Sequence, residues 1–129
     1  MSVIESNITK EIQLIAGKSK ATLFRNNTGM GWLGVQMHYK PGFVLLKDAR
    51  PLHAGLTKGG SDLIGWKSIT VTPEMVGKKI AVFAAIEVKS LKGKPSIDQV
   101  NFIQQVRASG GIAGIARSAE DAQNILELL

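Results

Sequence analysis

Ile80-Ala81-Val82-Phe83-Ala84-Ala85-Ile86-Glu87-Val88-Lys89 is the stretch on which the fold turns. It is apolar without interruption from Ile80 to Ile86. Such a run reads as a central strand covered on both faces. It is also far short of the roughly 20 residues needed to cross a bilayer. Side chains alternate along a strand, so Glu87 and Lys89 emerge on one face and Val88 on the other. Two charges on one face at the end of a buried strand are costly unless they are paired or used. The plainer reading, that the strand simply surfaces there and both charges are solvated, stands beside it.

Downstream, Ser96 and Gln99 form a capping box that opens a helix running to about Ser109 and stopping at Gly110-Gly111. Ile112 to Ala116 follows as a short buried strand. Ser118 and Asp121 then start a last helix with Ala122, Ile125, Leu126 and Leu129 as its apolar stripe. Upstream, Asp62 to Val71 reads as a strand that opens after the glycine turn Gly59-Gly60-Ser61, with a short turn of helix at Pro73 to Val76. Residues 3 to 16 form the first helix, with Ile4, Ile8, Ile12 and Ile15 on one stripe, a Ser2–Glu5 capping box and Gly17 as its stop. Ala21 to Arg25 is a short strand, Asn26 to Gly29 a turn, and Trp32 to Tyr39 the returning strand. Lys40 to Gly60 is expected to be mostly loop around Phe43 to Leu46. The order αβββαβα implies an α/β fold, one central mixed sheet flanked by helices.

The chain has 129 residues, which fits a single domain spanning 1–129. It holds no cysteine, which excludes disulfides, thiolate catalysis and Cys-based metal sites. No basic and apolar leader opens it, so an intracellular protein is expected. Lys and Arg number 16 against ten acids, a formal charge of +6. A domain this basic favours polyanionic partners. A membrane partner is not expected, because no amphipathic basic helix is present.

Asp62 alone is most simply a turn or capping residue. If the Thr72-to-Lys79 segment reverses the chain, however, Asp62 and Glu87 meet at one sheet edge. Two hard carboxylates suit Mg²⁺ or Mn²⁺, with the Val88 carbonyl as a third oxygen ligand. Lys89 beside them can orient or deprotonate a water attacking phosphorus, or stabilise the charge that develops.

Asp62 followed by Glu87-Val88-Lys89 resembles the PD-(D/E)XK nuclease superfamily, with Ser61 where the superfamily name has proline. The chain is similar to a stand-alone VRR-NUC (virus-type replication-repair nuclease) domain over nearly its whole length. Leu23-Phe24-Arg25-Asn26-Asn27-Thr28-Gly29, the Gly55-to-Gly65 segment, Ile86 to Ser90 and Gln99 carry that likeness. The resemblance implies a restriction-endonuclease-like α/β/α core, Mg²⁺- or Mn²⁺-dependent hydrolysis of DNA and frequent homodimers of bacterial or phage origin. Asp62, Glu87 and Lys89 carry over as catalytic residues. Glu5 matches the first-helix glutamate best, although the isoleucine stripe alone favours Glu11. Gln99 is either a cap or an active-site glutamine. Arg25, Asn26, Asn27, Lys58, Lys92 and Lys94 are candidate nucleic-acid contacts, against plain readings as turn and solvated loop. His38 and His53 read as surface residues, and Trp32 and Trp66 as core or interface. Four-way junctions cut by a twofold dimer are the expected substrate, with Phe43 to Leu46 and Trp32 as its contact surface. A non-catalytic nucleic-acid-binding module and a monomeric flap or nicking nuclease are the alternatives.

Overall fold

The computed structural model describes residues 3–128, so the Ser2 half of the first capping box and Leu129 lie outside the described residues. Among the described residues, three α-helices, six strands and one 3-10 turn follow in the order α1 (Val3–Lys18), β1 (Ala21–Arg25), β2 (Gly29–Lys40), β3 (Phe43–Ala54), β4 (Leu63–Lys67), the 3-10 turn Pro73–Met75, β5 (Ala84–Val88), α2 (Ile97–Ala108), β6 (Ile112–Ala116) and α3 (Ala119–Leu126). The class is the expected mixed α/β. Its strands form three two-stranded ladders, β1–β4, β2–β3 and β5–β6, in place of one continuous mixed sheet. Among the described residues, no helix is long and apolar enough to cross a membrane.

The chain divides into two compact units, one taking residues through Gln13 with Leu23–Ile64, the other Leu14–Thr22 with Gly65 onward. In the first unit, β2 does not return along β1 as its turn signal suggests. It pairs antiparallel with β3, from Gly29 opposite Ala54 to Lys40 opposite Phe43. Gly42 closes this hairpin at φ +81°, in the left-handed region that glycine occupies without strain. Residues 43–54, expected as loop, are thus a full strand. Two register shifts interrupt the ladder, and Asp48 sits in the left-handed region at φ 53° beside one of them. Pro51, opposite Trp32, is tolerated because β3 has no second neighbour to receive its missing N–H.

β1 pairs instead with β4, and Asn26 explains why. Its side chain is buried, its Nδ2 donates to the Ser61 carbonyl over 3.0 Å, and its Oδ1 accepts from the Leu56 N–H over 3.0 Å. Its own backbone N–H donates to the Asp62 carbonyl over 2.8 Å. One asparagine therefore holds the segment that leads into β4.

The first helix also departs from its stripe. Thr9 and Ala16 are its buried positions, with Ser6 and Gln13 half-buried, a spacing of three and four residues that defines one face. Thr9 Oγ1 donates to the Glu5 carbonyl and Gln13 Nε2 to the Leu23 carbonyl. Ile4, Ile8, Ile12 and Ile15 are all exposed.

In the second unit, β5 and β6 are parallel, with Glu87 opposite Ile115. Parallel neighbours need a crossover, and α2 supplies it. Ile103 and Val106 of α2 and Ala113 of β6 form the buried core, with Trp66, Phe83, Ala85 and Ile115 packed around it. Trp66 stacks at a tilt on Phe83, 4.9 Å between ring centres. β6, not β5, is the most deeply covered strand. β5 is shorter than the 80–89 run, and Ile80 ahead of it is 52% exposed, so the expected cover on both faces does not extend over the whole Ile80–Ile86 run. An added Cβ at Gly114 of β6 would lie 2.7 Å from the Ile125 Cδ1 of α3, so that side chain would have to shift to admit it.

Candidate active site

A strand–helix–strand unit brings the carboxyl end of its first strand next to the amino end of its helix, where parallel α/β folds place ligands. Here the geometry joins Glu87 at the end of β5, Lys89 just beyond it and Gln99 in the first turn of α2. Lys89 Nζ lies 3.3 Å from Glu87 Oε1, with side chains 22% and 30% exposed respectively. Gln99 Nε2 donates to the same carboxylate oxygen over 2.9 Å. The alternation read along the strand therefore appears as an ion pair on one side of it. The plain reading of two independently solvated charges does not describe them.

Gln99 closes a helix cap and also reaches Glu87. The Ser96 hydroxyl accepts from the Gln99 backbone N–H, and Gln99 Oε1 accepts from the Ser96 backbone N–H, completing a capping box. That second bond turns the Gln99 amide so that its NH₂ group faces Glu87. A cleft of about 280 Å³, lined by Ala85, Ile86, Glu87, Asp98, Gln99, Phe102 and Ile103, opens beside them. Asp98 carries no distinguishing signal in the sequence, because an acid in a first helical turn is already explained by the helix dipole.

Lys92 and Lys94 are exposed on the loop after Lys89. Arg117, at the end of β6, holds that loop. Its Nη1 donates to the carbonyls of Ser90, Leu91 and Gly93, the last over 2.7 Å. The backbone N–H of Arg117 in turn donates to the Asp121 carboxylate over 2.8 Å. Its only sequence signal is a basic residue at the exit of a buried strand, which is too common to single out.

Asp62 and Glu5 belong to the first unit. Asp62 immediately precedes β4, with an exposed side chain and its carbonyl tied to Asn26. Glu5 lies in the first turn of α1. At 3.6 residues per turn, Glu5 lies roughly 60° from the middle of the Thr9–Ala16 face, and Glu11 lies roughly opposite that face. The isoleucine stripe therefore does not favour Glu11, because that stripe is not the covered face. The Asn26 side-chain amide bonds at both ends within the fold, and so positions the segment that carries Asp62 into β4. Arg25, Asn27 and Lys58 are exposed, with Lys58 on the Thr57–Gly60 turn.

Of the metal donors expected from the sequence, all of them hard oxygens, Glu87 and the Val88 carbonyl lie together at the end of β5, and Asp62 belongs to the other unit. This set suits Mg²⁺ or Mn²⁺ and would not suit a softer ion. Glu87 fits such a role, because two N–H donors fix its carboxylate while it keeps partial exposure. Among the described residues, no three His, Cys, Asp or Glu side chains are grouped to hold a metal.

Comparison with known families matches residues 39–120 to the VRR-NUC domain. No curated protein and no solved structure matches the chain.

Proposed function

This chain belongs to the VRR-NUC domain family, a nuclease-type domain, and from that premise we propose that it is a divalent-metal-dependent DNA endonuclease. The observation that carries the reading is the Glu87–Lys89 ion pair, oriented by Gln99 at the carboxyl end of a parallel strand and beside an open cleft. Asp62, Glu87 and the Val88 carbonyl would hold Mg²⁺ or Mn²⁺. When bound, such an ion lowers the pKa of a water and offsets charge on the phosphoryl oxygens.

In the reaction, a water oxygen bonds to phosphorus and gives up one proton to solvent, the bond from phosphorus to the leaving strand's oxygen breaks, and that oxygen takes up a proton from solvent. Lys89 Nζ stands on the Glu87 side of the strand. There it donates to the attacking water or to a non-bridging oxygen on which charge builds. Gln99 holds Glu87 in one orientation throughout. Glu5 completes the site from α1. Lys92 and Lys94, on the loop held by Arg117, contact phosphates, joined by Arg25, Asn27 and Lys58.

The substrate is branched DNA recognised by shape. The charge of +6 supplies phosphate contacts, while nothing in the chain resembles a recognition helix or zinc finger. As a homodimer of single domains spanning 1–129, the protein presents two sites related by a twofold axis, which suits paired cuts in a four-way junction. It acts inside the cell, as expected of the bacterial or phage type. The test is cleavage of four-way junction, flap, nicked and linear duplex of matched length, with Mg²⁺, with Mn²⁺ and with chelator. Metal-dependent cutting that prefers the junction is expected. DNA binding without cleavage in either metal would instead make this a non-catalytic binding module.

A further inference from the structure

The cleft beside Glu87 differs in character from the ion pair it adjoins. Ala85 and Ile86 of β5 and Phe102 and Ile103 of α2 give it apolar walls, and Glu87, Asp98 and Gln99 are its polar groups. Asp98 and Phe102 stand four residues apart on α2, so they share one face of that helix. Phe102 meets Trp66 edge-on, 6.2 Å between ring centres, yet stays 38% exposed. An aromatic ring that is anchored and part open offers surface on which a planar group can stack.

The lining decides which class of group can enter. Among the described residues, no basic side chain lines the cleft, while two carboxylates do. A phosphate there would be repelled and would find no cation to replace its water. Lys89 is instead paired on Glu87. A nucleic acid that sets a phosphate at Glu87 and Lys89 carries a base only a few bonds away from it. The cleft, about 280 Å³, is just below the roughly 300–1,000 Å³ of sites for drug-sized molecules, which suits one heterocycle. Pockets for displaced bases combine these same parts, an aromatic or apolar wall and hydrogen bonds to the pairing edge.

We infer that this cleft receives one unpaired nucleobase of the DNA strand being cut, stacked on Phe102 with its pairing edge toward Asp98. This rests on the nuclease reading above and deepens it, since a branch is then recognised through a base already outside the duplex. Such a base costs least to bring into a pocket, because its pairing is already broken. An ionised carboxylate only accepts hydrogen bonds, so Asp98 favours an edge rich in N–H donors. Guanine presents two adjacent donors there, N1–H and the N2 amine, whereas thymine presents one between two carbonyls.

The test uses the full chain and duplexes of equal length, one fully paired, one with a bulged guanine and one with a bulged abasic residue. Binding is measured in Ca²⁺, a hard ion that takes oxygen donors, and cleavage is mapped separately in Mg²⁺ and in Mn²⁺. The bulged guanine is expected to bind about tenfold tighter than the bulged abasic residue, with cuts at the phosphate beside the bulge. Phe102→Leu keeps apolar bulk without the ring, and should bring the two bulged duplexes within about twofold of each other. Phe102→Trp should keep the difference. A bulged thymine should bind more weakly than guanine to the wild type and equally to Asp98→Ala. Each comparison is a ratio within one protein, so a variant's loss of stability does not imitate it. Equal binding of guanine and abasic bulges by the wild type, or a difference that survives Phe102→Leu, would overturn the base pocket, and cleavage in the same samples would leave the nuclease standing. A Phe102-dependent difference without cleavage in either metal would keep the pocket and overturn the nuclease. No binding to any duplex would overturn both. A guanine preference absent from the wild type, or persisting in Asp98→Ala, would overturn the part given to Asp98.

Discussion

Gln99 reaches Glu87 Oε1 with its amide nitrogen over 2.9 Å while its amide oxygen is held by the backbone N–H of Ser96 over 2.8 Å. The start of α2 and the acid at the end of β5 are thus mechanically one object. Ser96→Ala should cost about 1 kcal/mol of stability as a lost N-cap. Gln99→Ala should cost more in activity than in stability, about 10–100-fold, as a lost partner of a ligand. Thermal melts paired with cleavage rates separate the two. Equal activity in wild type and Gln99→Ala would leave Gln99 a cap and nothing more.

Glu87→Gln and Asp62→Asn remove the two carboxylates proposed to hold the metal while preserving shape. Each should abolish Mg²⁺-dependent cleavage and leave the folded circular dichroism spectrum unchanged. Calorimetric titration with Mn²⁺ should lose its heat in both variants. Wild-type cleavage in either folded variant would sink the assignment of that residue.

Lys89 and the loop lysines are proposed to do different work, so their variants should split. Lys89→Ala is expected to lower the single-turnover rate on the order of a hundredfold with little change in DNA affinity. Lys92→Ala should weaken binding and leave the rate at saturating enzyme intact. If Lys89→Ala lost affinity alone, it would be a phosphate clamp.

On α1, Glu5→Gln should reduce cleavage strongly, while Glu11→Gln, on the side of the helix away from the Thr9–Ala16 face, should not. Stability measured in parallel shows whether Glu5 acts as a helix cap, where a loss of about 1 kcal/mol without a specific rate defect is expected. A dead Glu11→Gln enzyme would reverse the assignment.

Arg117→Met withdraws the guanidinium from the carbonyls of Ser90, Leu91 and Gly93. The lysine-bearing loop then loosens, so DNA affinity should fall. The slope of log affinity against log salt should flatten by about one for each phosphate that a lysine no longer neutralises. Arg117→Lys should not rescue it, since one ammonium cannot reproduce the planar fork. Amide exchange across residues 90–94 should quicken in both variants.

The sequence by itself determined what depends on neighbours along the chain. The apolar run before Glu87-Val88-Lys89, the three-residue spacing of Ser96 and Gln99 and the glycines at 110–111 were enough to place β5, α2 and β6 and to put Glu87 and Lys89 on one side. Each of those signals acts within a strand or a helical turn. Which strands pair, and which face of α1 is covered, only the tertiary structure decided. The turn at Asn26 reads locally as a hairpin, yet that residue's hydrogen bonds run to Leu56, Ser61 and Asp62 and give β1 to β4. Residues 43–54 read as loop because Lys40 to Gly60 is rich in Pro, Gly and Lys, yet a bulge at Asp48 and an open edge at Pro51 accommodate both within a strand. The isoleucines of α1 make the stronger stripe, but Thr9 and Ala16 are the positions that became covered. For Asn26 the deciding partners lie 30 and 35 residues away, and no periodicity in the chain encodes a contact at that distance.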